Sequence, residues 1–145
     1  MLSENLKVLL ASTVCYYIKA SFFHWNLTGI SFPSYHRLLG EIYEGAQESI
    51  DQIAEEIRTL RSNAPGSLIR YSELSIIQDQ TKIPKIELMI AELLADTNTM
   101  LDLINECLQY AKAEEKADIE NHMAELIAFY SKYRWQLESC IDTEE

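Results

Sequence analysis

Apolar residues recur every three or four positions over most of the chain, the period of a helix face and not of a strand. One stripe runs Leu38, Leu39, Ile42, Ala46, Ile50, Ile53, Ala54, Ile57 and Leu60. A second holds Ile86, Met89, Ile90, Leu93, Leu94, Met100, Leu101, Ile104 and Leu108. A third holds Met123, Leu126, Ile127, Tyr130, Tyr133, Trp135 and Leu137. The first segment differs, because Val8 to Ile18 is apolar almost throughout. Such a helix is expected to be buried on nearly all sides, within a bundle or an oligomer. The run is too short to span a bilayer and Lys19 closes it. Glu4 ahead of Lys7 also departs from the basic start of a signal peptide.

Breaks between the stripes are few. Ser3 is expected to cap a first helix reaching about Leu27 and ended by Thr28-Gly29. Ser31 to Ser34, with Pro33 in the first turn, opens a second helix to about Arg61, and Asn63-Ala64-Pro65-Gly66 breaks it. Ser67 to Lys82 reads as a mixed connection with a short helix around Ser72 to Asp79. Pro84 then starts a third helix, Lys112 to Lys116 bends the chain, and a fourth follows. Four glycines and three prolines are too few for the frequent turns of a β-sandwich. The expected fold is therefore all-α and a single domain, residues 1–145. It is a four-helix bundle whose long crossover link, about Ser62 to Ile83, carries a short helix between helices 2 and 3.

Charge narrows the partners. Twelve Lys and Arg against 23 Asp and Glu leave a net charge of −11, which repels nucleic acid and anionic membrane on average. An acidic surface either gathers cations or simply keeps the protein soluble. Cys15, Cys107 and Cys140 are odd in number and far apart, so they suggest small core residues in a reducing, cytoplasmic setting. There is no Gly-rich phosphate loop, no Gly-x-Ser-x-Gly and no suggestive Cys-His spacing, which leaves metal chemistry.

Only His24, His36 and His122 offer imidazole. Di-iron sites inside helical bundles use Glu-x-x-His on two helices, but the residues three before these histidines are Ser21, Pro33 and Ile119. Asp51 and Glu55, four apart, stack two carboxylates on one face of the second helix. His36 lies fifteen residues earlier, close to the same face but about 22 Å away along the helix. One metal ion cannot bridge that distance within a chain. Two subunits packing these helices antiparallel about a two-fold axis would bring His36 of one chain to Asp51 and Glu55 of the other, with His24 as a second nitrogen. The expectation is a metal site split across a dimer interface.

These residues carry a resemblance. His24-Trp25-Asn26-Leu27-Thr28-Gly29, His36 twelve after His24, and Asp51-Gln52-Ile53-Ala54-Glu55 at twenty-seven and thirty-one after it resemble the Dps family, the miniferritins. Lys19 and Trp135 also match family positions. The likeness covers nearly the whole chain, tight over residues 19–57 and loose after about 66. It implies a hollow homo-dodecamer built from two-fold dimers, with ferroxidase sites between subunits and a ferric mineral stored inside. Fe(II) would be oxidised there by hydrogen peroxide or dioxygen, protecting against oxidative damage. His24 and His36 of one chain would face the partner's Asp51 and Glu55, with Glu55 bridging two irons. Imidazole and carboxylate suit Fe(II) and stabilise Fe(III).

One position departs from the family. Where an Asp commonly follows the second histidine by four, this chain has Gly40, which offers no ligand. Glu44, one turn on, is the better substitute for the second iron, ahead of Glu41. Oxidation is thus less secure than binding, and the alternatives are a metal-binding helical shell without efficient turnover or a structural oligomer. Trp25 reads first as a packing aromatic, with quenching of an oxidising equivalent second. His122 matches no family ligand and reads as structural or surface. Glu114, Asp118 and Glu125 form a loose acidic stripe, either pore-lining or plain surface. The family's DNA binding rests on a Lys-rich tail. Lys7 is the only basic residue before Lys19 and the chain closes Asp142-Thr143-Glu144-Glu145, so DNA binding is expected to be absent.

Overall fold

The computed structural model describes residues 1–141. It contains α1 (Leu2–Asn26), α2 (Phe32–Thr59), α3 (Leu68–Leu74), α4 (Ile86–Ala113) and α5 (Ala117–Cys140), with no strand among the described residues. The four long helices form the expected bundle. α1 pairs with α2 and α4 with α5 through short turns, and α3 lies within the crossover and packs on α1. The acidic end Asp142 to Glu145 lies outside the described residues.

The apolar stripes became the core. Leu39, Ile42, Ala46, Ile53 and Ile57 of α2 meet Met89, Leu93, Met100 and Ile104 of α4 and Met123, Tyr130 and Leu137 of α5 in one continuous cluster. Trp135 is the exception, 62% exposed on α5. α1 packs on α2, α4 and α3, which explains its nearly unbroken apolar run: Leu2, Leu6, Leu9, Leu10, Tyr16 and Phe23 are all fully buried. Taken whole, α1 is longer than that run and has the length and hydropathy of a membrane span. Most of it is buried inside the bundle, the other setting that demands such a composition.

Several boundaries differ from the sequence expectation, each for a local reason. Ser3 does not cap α1; it is buried in the first turn, and the Leu2 N–H instead donates to Glu114 Oε2 at 2.9 Å. The link's helix is Leu68–Leu74, earlier than Ser72 to Asp79, because Ser67 accepts the Arg70 N–H as its N-cap. Beyond it, Ser75 closes a turn with Ile77, and Ser12 of α1 holds the Ile76 N–H. Pro84 stands two residues before α4, with Lys85 at the N-cap. α2 and α4 end with Arg61 and Glu115 at positive φ, 65° and 58°, where glycine is more usual. The backbone bonds Ser62 N–H to Ile57 C=O and Lys116 N–H to Ala111 C=O close both ends.

Candidate metal centre

The end of α1 and the start of α2 bring the first two sequence-predicted residues together. His24 sits in the last turn of α1, where backbone carbonyls lack partners within the helix. One of these, the His24 C=O, accepts from His36 Nδ1 at 2.9 Å. In return His24 Nδ1 bonds the His36 C=O at 2.6 Å. A carbonyl can only accept, so both Nδ1 atoms carry the proton and both Nε2 lone pairs are free in the neutral rings. This is the tautomer and the carbonyl anchoring that metal-bound histidines adopt. The rings stack with centroids 3.8 Å apart and planes 13° from parallel. Both are partly buried.

Gly40 acquires a role that its lack of a ligand did not suggest. A Cβ at this position would lie 2.9 Å from His24 Cε1 and 3.2 Å from its Nδ1. The bare backbone is the bed on which the imidazole lies. Tyr43 borders the same ring, centroids 5.1 Å apart, and Phe32 stacks on His36 at 4.7 Å. Neither aromatic was singled out from sequence. Tyr43 follows His36 by seven, two helical turns on one face, and that period was the signal available.

Asp51 and Glu55 do not join the histidines within the chain. Both are exposed on α2, and neither makes a hydrogen bond or ion pair among the described residues. Their distance from His36 follows from the unbroken run of α2, about 1.5 Å per residue. Glu44 is exposed on the same side, seven and eleven residues before them, and is not brought to the imidazoles. Glu41 accepts from Tyr133 Oη at 3.1 Å and faces α5. Among the described residues no three His, Cys, Asp or Glu side chains converge within one chain.

The other residues of interest fall into buried ties and exposed positions. His122 is buried and its Nδ1 donates to both carboxylate oxygens of Glu56, at 2.8 and 2.9 Å, tying α5 to α2. Trp25 is 66% exposed and packs on no ring among the described residues. Glu114 is engaged by the Leu2 N–H, while Asp118 and Glu125 lie exposed on α5. Cys107 is buried, and burial pushes its thiol up to about 12; Cys15 and Cys140 are partly exposed. Lys19, 4% exposed, reaches Asp96 at 2.9 Å and Glu92 at 3.2 Å on α4.

A four-helix bundle of this topology, with two imidazoles whose Nε2 atoms have no partner among the described residues and a carboxylate pair facing outward, is of the ferritin-like kind. The ferritin-like domain model matches residues 3–145, and the chain belongs to that family. Within it the likeness is to Dps proteins. The crystal structure of Dps from Staphylococcus aureus superposes with a TM-score of 0.93 at 25% identity, covering 99% of this chain and 96% of that one. The DNA protection during starvation protein of Helicobacter pylori strain J99 is 28% identical over 94% of this chain and 95% of its own length. A Dps protein of Vibrio cholerae O1, described as a member of a broad superfamily of ferritin-like diiron-carboxylate proteins, matches at TM-score 0.90 and 26% identity. That match covers 95% of this chain and 87% of that one.

Proposed function

We propose that the protein oxidises and stores iron, binding Fe(II) at sites completed across a two-fold dimer interface. The observation that carries this reading is the reciprocal His24–His36 pair, which holds two free Nε2 atoms at one end of α2. The same helix presents Asp51 and Glu55 outward without partners. An antiparallel copy of α2 matches the two sets, so each dimer has two sites. Two imidazole nitrogens and two carboxylates hold Fe(II) with positions left for oxidant, and the carboxylates favour the Fe(III) product. Hydrogen peroxide is the proposed oxidant and dioxygen the second: two Fe(II), one peroxide and two protons yield two Fe(III) and two waters. A closed dodecamer in the cytoplasm would keep the mineral in its cavity, and the −11 charge favours a cation as cargo over DNA as a partner.

Gly40 favours a second reading, a shell that binds one iron per site tightly and oxidises it slowly, because the position can supply no carboxylate. Anaerobic Fe(II) titration by calorimetry, followed by peroxide and ferric absorbance, separates the two. The expected result is one tight Fe(II) per chain and rapid ferric absorbance, both reduced at least tenfold in His36→Ala and in Asp51→Ala. Tight binding without turnover supports the second reading. Binding unchanged in both variants overturns the site.

A further inference from the structure

A file of five rings runs along the seam between α1 and α2. Phe32 stacks on His36 and His36 on His24; Tyr43 leans on His24 at 48°, and Tyr17 lies nearly parallel to Tyr43 with centroids 6.3 Å apart. Two of these rings, Tyr43 and Tyr17, can give up an electron together with a proton, and they lie at the same end of the file, Tyr43 against the His24 imidazole and Tyr17 behind it. Both are partly buried, so a phenolic proton has a route to water. Tyr16 and Tyr130 pair edge to face in the core, fully buried, with no such route.

The dimer proposed above adds a geometric consequence. Pairing His36 with the partner's Asp51 on antiparallel helices puts the two-fold axis between residues 43 and 44. In that register Tyr43 would stand midway along α2 between the two sites of the dimer, against the His24 ring of its own chain. With Gly40 in place of a carboxylate, a site filled by one Fe(II) has one electron to give to an oxidant that takes two.

We infer that Tyr43, backed by Tyr17, supplies that second electron; the inference rests on the ferroxidase reading above. In the step, the O–O bond of peroxide breaks as it takes one electron from Fe(II) and one from the Tyr43 phenol. The phenolic proton goes to one oxygen, which leaves as water, and the other leaves as hydroxide. The products are Fe(III) and the Tyr43 phenoxyl radical, and no hydroxyl radical is released.

The test mixes the assembled protein with less than one Fe(II) per chain and excess peroxide. Rapid-freeze electron paramagnetic resonance and spin trapping of hydroxyl radical are the readouts. The expected result is a tyrosyl signal whose hyperfine splitting collapses when the protein carries ring-deuterated tyrosine. Tyr43→Phe, which keeps the ring, is expected to lose that signal at least tenfold and to release more trapped hydroxyl radical, with anaerobic Fe(II) affinity unchanged. Trp25→Phe is expected to retain the signal. A signal that survives Tyr43→Phe, or one that disappears with Trp25→Phe, overturns the inference. Ferric absorbance without any protein radical overturns it while sparing the ferroxidase reading. A protein that neither binds nor oxidises Fe(II) sinks both.

Discussion

Gly40 offers no side chain to a metal, yet its bare backbone leaves the room that the His24 ring occupies. In a helix interior, Gly→Ala ordinarily gains about 0.5–1 kcal/mol. Here the new methyl meets the His24 ring, which its hydrogen bond to the His36 carbonyl and a stack on the His36 ring hold in place. Gly40→Ala is thus expected to change unfolding free energy by less than about 1 kcal/mol, because the propensity gain offsets the clash. It should weaken Fe(II) binding about 10- to 100-fold, the cost of misaiming a ligand. Urea unfolding and anaerobic calorimetry on the same preparation read the two effects apart; equal affinity in the variant would remove Gly40 from the site. Of the proposed ligands, His36, Asp51 and Glu55 could be placed on one helix from their spacing alone, and His24 stood out by its distance of twelve from His36. The bed under His24 was not legible in the sequence, because it belongs to another helix than the ring it supports.

Between elements, the clearest polar tie is Lys19 of α1 against Glu92 and Asp96 of α4, with Gln80 of the crossover donating to Glu92 at 3.0 Å. Removing the cation leaves two carboxylates facing each other, one of them largely buried. Lys19→Met is expected to cost about 3 kcal/mol in denaturant unfolding. The pH dependence has a definite sign. Burial lifts the Asp96 carboxyl above its ordinary range, and the hydrogen bond and charge of Lys19 pull it back. The folded state therefore binds this proton more tightly than the unfolded chain. Its stabilising effect is full below the unfolded carboxylate range and is lost as pH rises through the folded value. The stability of Asp96→Asn relative to wild type should climb from about pH 4 upward and then level off. In a Lys19→Met background the climb should extend to higher pH, and a flat difference would contradict the assignment. Sequence periodicity located α2, α4 and α5 because each repeats its stripe over several turns, and α1 was placed by its long apolar run and the break at Thr28-Gly29. It misplaced α3, whose seven residues contain no period and whose position is set by the Ser67 cap and by Ser12 on α1.

For the whole molecule, the sequence established the bundle and its crossover, but the single chain leaves large apolar side chains in water. Trp25, Trp135, Ile30, Leu68 and Ile69 are each more than 60% exposed. Surface of that kind, together with the proposed site left incomplete within one chain, points to an assembly in which neighbouring copies cover what one chain cannot. Twelve copies of the 16.7 kDa chain give about 200 kDa, the mass expected from light scattering. Mass alone does not show that the site is shared, but complementation does. His36→Ala lacks the imidazole and keeps the carboxylate, while Asp51→Ala does the reverse. When the two inactive variants are unfolded, mixed equally and reassembled, about half the dimers should contain one of each. In such a dimer one site has lost both groups and the other is intact. About a quarter of all sites therefore recover, and the mixture should show about a quarter of wild-type ferric absorbance after peroxide. A site contained within one chain would give no recovery at any mixing ratio, so this measurement decides whether the two-fold axis belongs to the chemistry.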